Sequence, residues 1–160
     1  MKRIIVLDFG GQYNQLIARR VRDLHVYSEV LPFTTPLEKL KDPEILGIIF
    51  TGGPNSVYEP SSPHVDQGIF ALGKPILGIC YGAQLIAYQN GGKVESISER
   101  EYGRKQIRVV PSILFKGLDE EQEVFMSHGD QIVSLPSSFH VTSSSNTCPI
   151  ASYEDEAKGL

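Results

Sequence analysis

A chain of 160 residues suits one domain that buries roughly 68 to 70% of the surface its unfolded form would expose, so a single core is expected. Hydrophobic residues at 41% and charged residues at 21% exclude a disordered chain. No apolar run reaches the ~18 residues that cross a bilayer, so no membrane partner is expected. A formal net charge of −4 without a long run of Lys and Arg argues against nucleic acid, which leaves a small molecule or another protein as partner. The N-terminal apolar stretch runs straight into Asp8 and is too short for a signal peptide. With only Cys80 and Cys148, a disulfide framework is not expected and a reducing, cytoplasmic setting fits.

Ile4 to Phe9 is a continuous apolar run that predicts a buried strand, closed by the glycine turn Gly10-Gly11. From Gln12 onward, Tyr13, Leu16, Ile17, Val21 and Leu24 recur at helical spacing and predict an amphipathic helix. Arg19, Arg20 and Arg22 could suggest a phosphate site, but a solvated outer face explains them better. Val26 to Leu31 predicts a second strand, Leu37 to Leu46 a short helix and loop, and Gly47 to Phe50 a third strand ending at Thr51-Gly52-Gly53-Pro54. Ser62 and Pro63 fit the N-cap and first residue of a further helix that Gly73 would end.

Pro75 to Ile79 is an apolar run of strand length that stops at Cys80, and a segment of helical composition follows. In Gly78-x-Cys80-x-Gly82 the two glycines relieve crowding where a buried strand turns into a helix, as in the serine elbow of hydrolases. A cysteine at a helix N-terminus is favoured as thiolate, and the helix N–H groups there can hold an oxyanion. A buried structural role is the commoner fate of a free cysteine, but the paired glycines favour a nucleophile. Cys148, with no motif around it, fits packing. The order strand, helix, four times over, predicts an α/β fold with a mostly parallel open sheet and helices on both faces. Ligands then bind beyond the carboxyl ends of the strands, where Gly10-Gly11, Gly52-Gly53 and Cys80 would meet.

Beyond Gly91-Gly92 the pattern alternates. Lys93 to Pro111 predicts a hairpin or small antiparallel extension with Tyr102-Gly103 near its turn, around the charged tract 99–105. Glu120 and Glu121 fit a solvated loop. Glu123 to Met126 predicts a strand that leads into a polar turn, Ser127-His128-Gly129-Asp130, where His128 is a candidate base or simply a polar surface residue. Phe139 to Thr142 and Pro149 to Ala151 predict two short strands joined by a serine-rich loop.

Gly78-Ile79-Cys80-Tyr81-Gly82-Ala83-Gln84 together with Thr51-Gly52-Gly53-Pro54 resembles the glutaminase domain of class I glutamine amidotransferases. Leu7-Asp8-Phe9-Gly10-Gly11-Gln12-Tyr13, Arg100-Glu101-Tyr102-Gly103-Arg104 and Met126-Ser127-His128-Gly129-Asp130 are similar to the amidotransferase domains of GMP synthetases. The resemblance covers the whole chain and implies a flavodoxin-like α/β fold. It also implies that Cys80 attacks the side-chain amide of glutamine, releasing ammonia and forming a glutamyl thioester that water hydrolyses. The Gly53 and Tyr81 N–H groups would form the oxyanion hole. Gly52, Gln84, Ser127, His128, Gly129 and Asp130 would surround the substrate, with Asp130 on its amino group and His128 a pocket residue rather than the base.

Some features depart from the family pattern. No His-x-Glu occurs in the chain, so the base that family members place in a downstream His-Pro-Glu is expected to be missing, and this stretch to lack turnover by itself. Nor is there a Gly-rich ATP-pyrophosphatase loop. ATP and Mg are therefore expected on a synthetase domain or subunit that aminates XMP to GMP, with no cofactor on this chain. Gly11 and Phe125 also differ from common family residues, away from the chemistry. Glutaminase subunits of anthranilate or carbamoyl phosphate synthesis, and a non-catalytic glutamine-binding module, are the alternatives.

Overall fold

A computed structural model describes residues 1–160, apart from the side chains of Glu99 and Glu101. That part of the charged tract lies outside the described residues. The first half holds four parallel strands, β1 (Arg3–Asp8), β2 (Ser28–Pro32), β3 (Ile45–Phe50) and β4 (Ile76–Gly78), in the order β2-β1-β3-β4. Because all four run the same way, Asp8, Pro32, Phe50 and Gly78 end at one edge, as expected for a doubly covered sheet. Alternation of side chains across the pleat explains the two covered faces. Val6 and Ile49 pack with Ala18 of helix α1 (Asn14–Asp23), whereas Ile5, Leu7, Ile48 and Phe50 join Leu40 of helix α2 (Leu37–Leu40) and Leu85 to Ala87 of helix α3 (Tyr81–Gln89). Phe9 and Phe50 are fully enclosed, and burial of such a side chain stabilises by about 1.5–3 kcal/mol.

Helix α1 sits where its periodicity predicts but is rotated about its axis. Ile17 and Val21 pack on the sheet beside buried Asn14 and Ala18, while Tyr13, Leu16 and Leu24 are exposed. Small Ala18 lets the helix approach the sheet closely, which a count of large apolar residues does not register. Its arginines make local contacts: Arg20 pairs with Asp23 at 3.5 Å and the Arg22 Nε donates to the Ser28 hydroxyl at 3.2 Å.

Three predicted elements are corrected. No helix begins at Ser62-Pro63. The Ser62 hydroxyl bonds back to the Val57 and Glu59 carbonyls, and a short 3-10 helix starts later, at Gln67–Ala71, capped by Asp66, whose carboxylate accepts from the Gly68 N–H at 2.8 Å. Lys93 to Pro111 is not a hairpin: β5 (Lys93–Val109) is one 17-residue strand, and Tyr102-Gly103 pair with Ser127 and Met126 inside it. Ser127 to Asp130 is not a turn either, because β6 (Glu121–Ser134) runs through it. The actual connection is the segment 110–120, next to which Glu120 and Glu121 meet Arg108. The last strands are β7 (His140–Ser144) and β8 (Ser152–Glu154), the latter just beyond the predicted 149–151, and Cys148 is buried as expected.

The predicted small extension is thus a second four-stranded sheet, antiparallel, in the order β6-β5-β7-β8. Val94 and Ile132 from its long ribbon, with Phe139, enter the same core as β1 and β3, so the two sheets share one apolar interior. Among the described residues no helix is long and apolar enough to cross a membrane.

A Cβ placed on Gly82 would lie 2.3 Å from the Phe50 carbonyl oxygen and 2.6 Å from its Cβ, so helix α3 meets β3 backbone to backbone. Gly82→Ala is expected to destabilise the fold by about 3 kcal/mol, the upper end for overpacking. A urea midpoint equal to that of the native chain would contradict this contact.

Candidate active site

Strand β4 ends at Gly78, and within two residues the backbone turns into α3 with Cys80 as its N-cap, at φ 53° and ψ −115°. This left-handed conformation strains any residue with a Cβ, at a typical cost of 1–3 kcal/mol. The surroundings hold it in place. A Cβ on Gly78 would meet Ala83 and Gly82 backbone atoms at 2.7–2.8 Å, so glycines on both sides of the cysteine are required by contact, as their spacing predicts. The Thr51 carbonyl accepts from the Gly82 N–H at 3.1 Å and the Phe50 carbonyl from the Ile79 N–H at 2.9 Å. The Thr51 hydroxyl donates to the Leu7 carbonyl at 2.9 Å and accepts from the Phe9 N–H at 3.2 Å, which ties the ends of β1 and β3 together under the turn.

Cys80 opens into a cleft of about 440 Å³. Of the residues singled out by sequence, Gly53, Tyr81, Gln84, Ser127, His128, Gly129 and Asp130 line it with Cys80. Gly52 does not line it. It stands behind Cys80, whose Cβ would be 3.5 Å from a Cβ added at position 52, and borders an adjoining hollow with Gly10 and Gly11. The three special turns do converge at one edge: a Cβ at Gly11 would fall 2.5 Å from the Gly52 carbonyl oxygen, and one at Gly53 2.4 Å from that of Phe9. Among the described residues neither the Gly53 nor the Tyr81 N–H donates to a protein acceptor, so both remain available to a ligand. Tyr81 is anchored by its hydroxyl, which donates to the Pro63 carbonyl, and its ring packs on Phe9 at 5.7 Å.

The far wall comes from the β5–β6 ribbon. Asp130 is held from several sides: Ser56 donates to one carboxylate oxygen at 2.6 Å, Tyr58 to the other at 2.8 Å, and the Gln84 Nε2 reaches its carbonyl at 3.3 Å. The His128 Nδ1–H donates to the same carbonyl at 2.8 Å. Ser56, Tyr58 and Arg100 are cleft residues that sequence reasoning missed as site residues. Arg100, the first residue of the tract Arg100-Glu101-Tyr102-Gly103-Arg104, lies over Gly129, where a Cβ would meet its Nε at 3.3 Å. Nothing local marks Ser56 or Tyr58, since their partner is more than 70 residues away.

The surrounding protein pushes the Cys80 thiol up from its ordinary value by burial, although the residue as a whole keeps an open face. This runs against the expected thiolate: burial favours the neutral thiol, the opposite sense to the pull of a helix N-terminus, and a base would help to ionise the sulfur. Burial likewise raises the Tyr81 phenol, which stays a neutral donor. Of the four histidines, His128 alone lines a cavity that Cys80 also lines, among the described residues. His140 pairs instead with Glu154 at 3.2 Å, and His64 with the Ser62 carbonyl at 2.8 Å. Among the described residues no cluster of acidic, His or Cys side chains could hold a metal ion.

The sequence from residue 5 to 159 matches the family described as glutamine amidotransferase class-I. It is 56% identical over 158 residues to the GMP synthase [glutamine-hydrolyzing] of Lactobacillus acidophilus, and 55% identical over 158 residues to that of Bacillus cereus. Each match covers 98% of this chain, which spans 31% of the length of those relatives. A crystal structure from Thermoplasma acidophilum, described as one of the subunits of a GMP synthase, superposes with a TM-score of 0.87 at 30% identity, over 99% of this chain and 80% of that one. A glutamine amidotransferase from Thermotoga maritima, at 21% identity and a TM-score of 0.74, shares the fold. The cysteine on its strained turn, the glycine wall facing it and the family match over nearly every residue place the chain in the class I glutamine amidotransferase family.

Proposed function

We propose that the natural protein hydrolyses glutamine at Cys80 and passes the ammonia to an ATP-dependent synthetase domain or subunit, in the cytoplasm, for amination of XMP to GMP. The observation that carries this reading is Cys80 at the mouth of α3, beside two N–H groups with no protein acceptor among the described residues. The Cys80 sulfur attacks the amide carbon, and the carbonyl oxygen becomes an oxyanion that the Gly53 and Tyr81 N–H groups receive. The C–N bond then breaks, the nitrogen leaves as ammonia after taking a proton, and a thioester to Cys80 remains. Water adds to that thioester and glutamate departs, restoring the thiol. Each oxyanion donor of this kind is worth about 2.7–4 kcal/mol in the transition state. Gln84, Ser127, His128 and Gly129 enclose the amino acid, Gly52 backs the cysteine, and Asp130 takes the ammonium.

With burial raising the thiol, a general base has to take its proton, and this reading gives His128, which lines the cleft, the part of a pocket residue rather than that base. Residues 1–160 by themselves are therefore expected to bind glutamine without turning it over. That behaviour would equally suit a non-catalytic glutamine-binding module, the second reading. ATP and Mg act on the synthetase side.

Cys80→Ala in the full natural chain is expected to abolish glutamine-dependent GMP synthesis while leaving synthesis from added ammonia intact. Loss of both activities would count against the reading. Alkylation of Cys80 in residues 1–160, followed against pH, should show a midpoint above that of ordinary cysteine, because burial raises the thiol. A midpoint below it would mean that the helix terminus prevails and that no separate base is needed.

A further inference from the structure

The geometry points to Ser56 and Tyr58 as positioning residues that hold the Asp130 carboxylate as counter-ion for the α-ammonium of the substrate, an assignment that rests on the glutaminase reading above. Ser56 and Tyr58 lie in the loop after β3, two residues apart, and their hydroxyls donate to opposite oxygens of Asp130 at 2.6 and 2.8 Å. The shorter distance is typical of a hydroxyl on an ionised acceptor. A carboxylate offers about four lone-pair sites. Two hydroxyl donors fix its plane and leave the others to a ligand. The backbone of Asp130 is fixed as well, its carbonyl accepting from Gln84 of α3 and from His128 of β6. Three separate parts of the chain therefore converge on one acid.

This acid faces the cleft, and among the described residues no Lys, Arg or His forms an ion pair with it. A carboxylate so rigidly held and without a protein cation suits a ligand cation. A free amino acid supplies such a cation on the same short chain that carries its reactive amide. Holding the ammonium at Asp130 would fix the near end of glutamine, so that the amide end reaches Cys80 in one register. The competing explanation is that the two hydroxyls merely staple the loop to β6.

The test uses the full natural chain carrying Cys80→Ala, which prevents turnover, and measures binding by calorimetry. Two ligands are compared: glutamine, and glutarate monoamide, which has the same amide and carboxylate but no ammonium. Ser56→Ala and Tyr58→Phe are each expected to weaken glutamine about tenfold, within the range for hydrogen bonds to charged groups. Both should leave glutarate monoamide within about twofold of the parent, and Ser56→Thr, which keeps the hydroxyl, should restore glutamine binding. Equal losses for the two ligands would make the pair a staple and overturn the assignment, as would undiminished glutamine binding in both variants. If Ser56→Ala fails to fold, Tyr58→Phe carries the same comparison. Failure of the parent chain to bind glutamine would instead overturn the glutaminase reading on which the assignment stands.

Discussion

The approach of helix α3 to the end of β3 governs the chemistry of this fold. At Gly82 the two backbones touch with no room for a side chain, and the Gly82 N–H closes the contact by donating to Thr51. A helix that begins so near the strand it packs on leaves two residues, Ile79 and Cys80, in which to reverse direction, and one of them takes a positive φ. That residue is Cys80, and its unusual φ is the geometric consequence. The aromatic side chains beneath give the contact its stiffness: Phe9 meets Phe50 at 5.3 Å and Tyr81 at 5.7 Å, so the turn rests on packed rings rather than on a loop.

The two sheets divide the work. The parallel sheet presents the thiol and the glycine wall from one edge, where every strand ends. The antiparallel ribbon cannot contribute an edge of that kind, and it contributes a side face of β6 instead. Its polar run Ser127 to Asp130 faces the cleft while Val94 and Ile132, further along the same ribbon, enter the shared core. Asp130 is one place where the two halves are joined by polar contacts, since the loop after β3, helix α3 and β6 all bond to it, and the Tyr153 hydroxyl of β8 on the Ala83 carbonyl of α3 is another.

The parallel half was legible in the sequence because buried parallel strands are plain apolar runs and the glycines that end them are forced by contact. Cys80, Gly78 and Gly82 could be placed on a strand-to-helix turn from spacing alone. The antiparallel half was not, because a strand whose side faces a polar cleft has the composition of a turn. Ser127, His128, Asp130 and Tyr102-Gly103 carry turn chemistry yet pair with neighbours in mid-strand, Gly129 falling at an irregularity in the register and Gly103 having φ at +98°. Ser62-Pro63 shows the converse: N-cap chemistry is present, but the hydroxyl satisfies preceding carbonyls instead. The desolvation that lifts the Cys80 thiol depends on walls brought from far along the chain, and helix position alone suggests the opposite sign.

Position 80 sets folding and reactivity against each other. The backbone there lies in a region that is the mirror image of ordinary extended chain, open to glycine and costly to cysteine. Glycine would relieve strain of about 1–3 kcal/mol against an entropic penalty of about 0.5–1 kcal/mol. By that comparison the molecule would be more robust without its sulfur. Selection for stability alone would erode this residue, so its persistence in a lineage would be a record of use.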